Sequence, residues 1–231
     1  MSDLVLAWIS MLVAYWIDEP TGGVSYSIAA RGLYIPHWEN EEWKWIPQKN
    51  CPGARSREVA HLQKVCWFKA HGSIDWPLLP GAYTLSWRLQ LTPMAYRMKD
   101  HGWLRCPVVF KLGLNNSTPF KQTMRYLANE DVERQEQFGT NLTPVRLVGD
   151  NWFEYDVGEI NIMDSGENAN FSFTMEEVSY DLIWKCELLV DGVVLRPTSL
   201  AKTIGESLSI GELAERHYNF VKQGYKGNNE M

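Results

Sequence analysis

The side chains best equipped for chemistry in this chain are indoles. Tryptophan supplies 11 of 231 residues, and three of them share one short polar stretch, Trp38-Glu-Asn-Glu-Glu-Trp43-Lys-Trp45. A core strand does not mix three indoles with Glu39, Glu41, Glu42 and Lys44, because those charges would be desolvated without partners. An indole half in water beside carboxylates suits a ligand that is itself half apolar. A pyranose is such a ligand, with C–H groups on its faces and hydroxyls round its rim, so carbohydrate binding is the first expectation. Stacking one sugar face on an indole removes about 100 Å² of apolar surface from water, worth about 2.5 kcal/mol. A carboxylate accepting from sugar hydroxyls adds about 1.5–3 kcal/mol. After the entropy of association, affinity for a short oligosaccharide falls in the micromolar to millimolar range. Sites this weak gain from being doubled in a dimer.

The other indoles divide by context. Trp67 follows Val65-Cys66 in an apolar run and Trp87 lies on the apolar face of an alternating stretch, so both read as core. Trp152 and Trp184 fit either surface or core. Trp43 and Trp45, two apart, point the same way if that segment is a strand.

Catalytic patterns are absent. A glycosidase needs two carboxylates about 5–9.5 Å apart across a cleft, and no pair stands out among the 28 acidic residues. There is no G-x-S-x-G elbow, H-E-x-x-H helix, P-loop or glycine-rich dinucleotide turn. The five histidines are scattered, so the chain reads as a non-enzyme. Cys51, Cys66, Cys106 and Cys186 are widely spaced without a C-x-x-C or Cys/His grouping, which argues against a metal site. No cofactor is implied, and reduced thiols in a cytosolic setting are expected. A net charge of −6 and a pI near 5.4 argue against nucleic acid or an anionic membrane as partner.

These residues need a scaffold, and the middle of the chain reads as strands. From Tyr83 to Thr92, apolar Tyr83, Leu85, Trp87, Leu89 and Leu91 alternate with polar neighbours, the mark of a strand with one buried face. Phe153 to Val157 and Phe171 to Met175 alternate likewise, and Val24–Ile35, Val65–Ala70, Pro107–Leu114 and Glu187–Leu195 are strand-like. Turn chemistry at Pro80-Gly81, Asn115-Asn116, Gly149-Asp150-Asn151 and Asp191-Gly192 separates them. Seven or more strands with frequent turns and almost no helical period indicate an all-β antiparallel sandwich or jelly roll. Residues 129–144 read as a long loop. The apolar run Leu4 to Ile17 is about 14 residues, too short for a membrane span. It lacks a basic n-region, so residues 1–23 read as an extension docked on the fold or a partner subunit. Ser209-Ile-Gly-Glu212 is a capping box, and Ile210, Leu213, Ala214, His217 and Val221 follow helical spacing. Residues 198–231 are therefore expected to carry an appended amphipathic helix.

Motif order in the chain resembles the plant phloem protein 2 family, the phloem lectins related to the tobacco agglutinin Nictaba. The family's opening strand and its Y-W-x-W element are similar to Ala30-Arg-Gly-Leu-Tyr-Ile35, Trp38 and Trp43-Lys-Trp45. Its most specific block, E-V-A-E-L-x-x-V-C-W, is matched by Glu58-Val-Ala-His-Leu-Gln-Lys-Val-Cys-Trp67. Asn151-Trp-Phe-Glu-Tyr-Asp-Val-Gly-Glu-Ile160, Met175-Glu-Glu-Val178 and Gly192-Val-Val-Leu-Arg-Pro197 follow in the family's order. The resemblance covers about residues 24–197 and implies an antiparallel β-sandwich of jelly-roll type that binds N-acetylglucosamine oligomers (chitin fragments) or N-glycan cores. It further implies no catalysis, a homodimer, a cytoplasmic place in phloem sieve elements and companion cells, and other phloem proteins as partners. The family's ligand site, two tryptophans and two acidic residues seven apart, maps to Trp38, Trp43, Asn170 and Glu177. His37 is the alternative at the first position, and Glu176 is the alternative acceptor. The rival expectation is a structural protein of the sieve element whose sugar site has decayed.

Overall fold

The alternation at Tyr83–Thr92 becomes the central strand of the larger of two facing sheets. The computed structural model describes residues 12–18, 21–36, 42–76, 78–97, 102–115, 117–127, 139–163, 169–177 and 183–198. Trp38, His37, most of the 129–144 segment and the helical pattern after residue 198 lie outside them. The strands are β1 (Val13–Ile17), β2 (Val24–Ala29), β3 (Trp43–Pro47), β4 (Glu58–Leu62), β5 (Phe68–Ile74) and β6 (Gly81–Leu91). They continue as β7 (Val108–Leu114), β8 (Lys121–Arg125), β9 (Val145–Leu147), β10 (Phe153–Ile162), β11 (Phe171–Glu177) and β12 (Leu188–Pro197). The large sheet runs β1-β2-β12-β6-β10-β9, with β4 pairing the start of β12 and β3 pairing β4. The small sheet runs β5-β11-β7-β8, and every strand pairing in both sheets is antiparallel.

The two sheets close on their apolar faces. Tyr83, Leu85, Trp87, Leu89 and Leu91 are all buried, as the alternation requires. Trp87 meets Phe173 edge-on at 5.7 Å between ring centroids, and Phe110 stacks on Tyr155 at 5.6 Å. These aromatic contacts join β6 to β11 and β10 to β7 across the sandwich. Each fully buried side chain of this size contributes about 1.5–3 kcal/mol. The period of two in β10 holds to Val157. A bulge between Asp156 and Gly158 then resets it, so that Ile160 and Ile162 also turn inward. Val13–Ile17, within the part of the apolar run Leu4 to Ile17 that the described residues include, forms an edge strand on β2.

Three sequence expectations are corrected by strand parity and chain course. Trp43 and Trp45 do point the same way, but opposite Leu62 and Ala60 and toward the inner face. Trp43 is therefore buried, and its charged neighbours point outward. Trp67, expected in the core, is 59% exposed, because the strand expected over Val65–Ala70 begins only at Phe68. Val65 makes an isolated bridge to Lys185 instead. The four cysteines are unbridged. Among the described residues no helix is long and apolar enough to cross a membrane.

Beneath the segment covering the outer face of the large sheet lies a second small core of Cys51, Ala54, Val59, Trp152 and Leu189. The Trp152 indole donates to the Pro52 carbonyl at 2.9 Å. Next to it sits a buried charge network. The register of β12 slips between Val190 and Gly192, and this bulge aims Asp191 outward. Its carboxylate accepts from the backbone N–H groups of Arg55 and Ser56 and from Arg88 Nε, each at 2.9 Å. Glu154, fully buried, accepts from Arg196 Nε and Nη2 at 2.8 and 2.6 Å and lies within 3.5 Å of Arg55, Arg88 and Arg146. Burial alone would raise the Glu154 carboxyl, but the hydrogen bonds and charge of Arg196, then Arg55 and Arg146, hold it below its usual 4.5.

Two outcomes follow for stability. Gly192 has φ +145°, and a Cβ there would lie 2.0 Å from the Ile28 carbonyl oxygen. Gly192→Ala should therefore cost about 2–4 kcal/mol in urea unfolding, with the β2–β12 pairing weakened. Because the folded-state carboxyl of Glu154 is depressed, its contribution is complete above pH 4.5 and is lost as pH falls through the folded value. Glu154→Gln should be less stable at neutral pH and should lose less stability than the parent protein on acidification, measured by denaturant titration across that range.

Candidate functional site

At one end of the sandwich the chain crosses twice between the sheets. Leu62, last in β4, pairs Leu188 in the large sheet, and Phe68, first in β5, pairs Glu177 in the small one. Between them Val65 and Lys185 exchange backbone hydrogen bonds of 2.9 and 2.7 Å. The crossing leaves the Cys66 and Ile183 carbonyls without a ladder partner. Lys185 donates through Nζ to both, at 2.9 and 3.0 Å, and pairs with Glu177 Oε2 at 2.6 Å. The side chains of Lys185 and Glu177 are both 0% exposed, so the ion pair lies wholly inside the protein. Trp103 closes the floor. Its buried indole meets Phe68 edge-on at 5.5 Å and donates to the Cys186 carbonyl at 2.7 Å. The turn carrying it comes so close that a Cβ on Gly102 would stand 2.5 Å from Lys185 Cγ.

On this rigid floor stand two exposed indoles, Trp67 at 59% and Trp184 at 53%. They come from the two sides of the Val65–Lys185 bridge: Trp184 directly precedes Lys185, and Trp67 lies two residues after Val65. The Lys64 ammonium sits 4.4 Å from the Trp184 ring centroid, a cation–π contact that orients the indole. The same two chain segments carry a polar chain. Gln63 Nε2 lies 2.9 Å from His61 Nδ1, His61 Nε2 lies 3.3 Å from Glu187 Oε2, and the Thr92 hydroxyl donates to Glu187 at 2.6 Å. Burial lowers the His61 pKa against the opposing pull of Glu187, which favours the neutral ring. Glu187 itself holds φ +65°, a strained backbone state for a residue with a Cβ. Exposed indole faces can stack on a hydroxylated ring, and an amide and a carboxylate carried by the same two segments can hydrogen-bond one.

The residues expected from sequence do not converge as a set. Trp43 is 5% exposed and packs in the core, so it offers no stacking face. Trp45 is partly buried beneath the Arg31 guanidinium, 3.6 Å from its ring centroid, and Arg31 in turn pairs with Glu58 at 2.9 Å. Glu177 faces Lys185 in the interior rather than solvent. Asn170 is exposed but precedes the opposite end of β11, and its carbonyl accepts from the Asn115 N–H at 3.1 Å. Seven extended residues span about 23 Å, so Asn170 and Glu177 cannot share one sugar. Glu176, the alternative acceptor, lies on the outer face of the small sheet, paired with Lys111 and 3.5 Å from Lys69. Trp38 lies outside the described residues. Trp67 and Trp184 escaped because both sit in locally apolar sequence. Their exposure comes from the bend between sheets, which no periodicity reports.

Comparison with known proteins supplies the rest. The model of the family "Phloem protein 2" matches residues 23–197. The F-box protein PP2-A15 of Arabidopsis thaliana is 32% identical over 191 residues, covering 79% of this chain and 59% of that protein. The F-box protein PP2-A12 of the same plant is 29% identical, covering 80% and 58%. A lectin of Luffa acutangula is 28% identical over 189 residues, covering 79% of this chain and 75% of the lectin. The chain thus spans a little under three-fifths of the length of these F-box relatives. Among solved structures, the C-terminal family 6 carbohydrate-binding module of a marine laminarinase from Zobellia galactanivorans aligns with TM-score 0.37 and 11% identity, over 74% of this chain and 98% of the module.

The Lys185–Glu177 pair makes a direct prediction. Glu177→Gln leaves a buried ammonium uncompensated and should cost about 3–5 kcal/mol in denaturant unfolding. The paired change Lys185→Met with Glu177→Leu should recover only part of that loss, because the Cys66 and Ile183 carbonyls stay without donors.

Proposed function

The chain belongs to the phloem protein 2 family over residues 23–197, and from that premise we propose that it is a carbohydrate-binding protein whose sugar platform is the Trp67–Trp184 surface. The observation that carries the reading is the pairing of two large indoles, each more than half exposed, with a backbone fixed by a fully buried ion pair. Exposed aromatic surface on so rigid a floor loses little entropy when a ligand stacks on it. The proposed ligands are N-acetylglucosamine oligomers or N-glycan cores, whose ring faces and acetamido methyls would lie on the indoles. Gln63 and Glu187 are the rim groups within the same two segments. The lectin relative from Luffa supports the class of ligand. Glu177 contributes by positioning the floor, not by touching sugar. A homodimer in the cytoplasm of phloem cells would double a weak site and is part of the same proposal.

Titration with chitotriose, followed by indole fluorescence and calorimetry, tests the platform. Trp67→Ala and Trp184→Ala should each weaken binding about tenfold or more, since a stacked face is worth about 2.5 kcal/mol. Trp43→Phe, a change within the core, should leave affinity unaltered, and Trp38→Ala measures whether the sequence-derived plate also contributes. Undiminished chitotriose affinity in the Trp67→Ala, Trp184→Ala double variant would sink the platform.

A further inference from the structure

The opposite end of the large sheet holds an open cleft of about 290 Å³ lined by Asp18, Thr84, Arg146, Asp156, Arg196 and Pro197. We propose that this cleft is a second binding site, taking one neutral, hydroxyl-rich ring of monosaccharide size. Its walls are held from behind. Arg196 spends Nε and Nη2 on buried Glu154, and Arg146 spends Nε and Nη2 on Asp156 at 3.2 and 2.9 Å. Asp156 is fixed further by the Ser86 hydroxyl at 2.7 Å, and Asp18 by the Thr21 hydroxyl at 2.7 Å. Among the described residues, neither arginine's Nη1 has a hydrogen-bond partner. Arg196 Nη1 stands 3.8 Å from Asp18 Oδ1, an approach too long for a hydrogen bond. The cleft presents fixed donors and fixed acceptors side by side, with the Thr84 hydroxyl and the Pro197 ring completing the wall.

Charge balance selects the ligand. Arg55, Arg88, Arg146 and Arg196 are matched by Asp18, Glu154, Asp156 and Asp191, so among the described residues the network is neutral. An anion entering the cleft would meet two aspartates for its two arginines, and a cation the reverse. A neutral polyol suffers neither penalty: its hydroxyls accept from the arginines and donate to the carboxylates. The volume lies at the lower limit of ligand cavities, which suits one ring rather than a chain. The ten residues of β12 separate this cleft from the Trp184 end by about 30 Å. Two sites so far apart on one domain would let a single molecule bridge two glycans. The cleft stands on its own geometry, independent of the indole platform.

The test is chemical-shift mapping of the intact chain with methyl glycosides of glucose, galactose, mannose and N-acetylglucosamine, and with inorganic phosphate as the charged probe. At least one glycoside should shift the Thr84, Arg146 and Arg196 signals at millimolar concentration, while phosphate should not. Thr84→Val and Asp18→Asn, shown folded by circular dichroism, should each weaken that response about tenfold or more. The Trp67→Ala, Trp184→Ala protein should keep it, which separates this site from the platform. The proposal is overturned if no glycoside moves the cleft signals, if phosphate alone does, or if both cleft variants respond like the parent protein.

Discussion

A sandwich can close only if its chain crosses from one sheet to the other, and each crossing takes backbone carbonyls out of the ladder while keeping them out of water. Here that constraint falls on Cys66 and Ile183, and one lysine answers it. Lys185 satisfies both carbonyls and carries its charge into the interior only because Glu177 meets it. A buried ion pair is weak evidence for stability, since desolvation offsets most of its attraction. Its effect is geometric: it ties β11 to the segment entering β12 and so fixes where Trp67 and Trp184 stand. Trp103 and the close approach of Gly102 complete the same joint.

The second buried charge system obeys the same logic on another face. The large sheet is covered on its outer side by the segment around Cys51–Ser56, so polar residues of β6, β10 and β12 lose water there. Arg88, Glu154 and Asp191 are tolerated because each finds several partners, two of them backbone N–H groups presented to Asp191. The β12 bulge creates that opportunity, and only a glycine can occupy its far side. Toward Asp18 and Pro197 the cover ends, and the same network surfaces as the donor-and-acceptor cleft. One continuous set of ion pairs is thus buried where it is covered and solvent-facing where it is open.

The indole platform and the cleft share a physical design. In each, the groups facing solvent are supported by groups that do not, so little order has to be created on binding. The platform offers apolar faces with few hydrogen bonds, and the cleft offers hydrogen bonds with little apolar face. In the function proposed above, they divide the two halves of carbohydrate recognition between the ends of one strand.

The strands were legible because alternation is a local property. Tyr83 to Leu91 face inward in the structure as their spacing demands, and the order of motifs from Glu58 to Pro197 was sufficient to identify the family. That Trp43 and Trp45 share a face was also readable. Which face they share was not, since it depends on the pairing of β3 with β4 and of β4 with β12. Nor could sequence show that Trp67 leaves the core at a bend, or that Glu177 finds Lys185. Those outcomes join residues far apart along the chain, at places where it leaves the regular ladder. Composition and periodicity determined a two-sheet sandwich rich in indoles. Tertiary structure alone decided which indoles meet water, because exposure at a crossing is set by what packs beneath it.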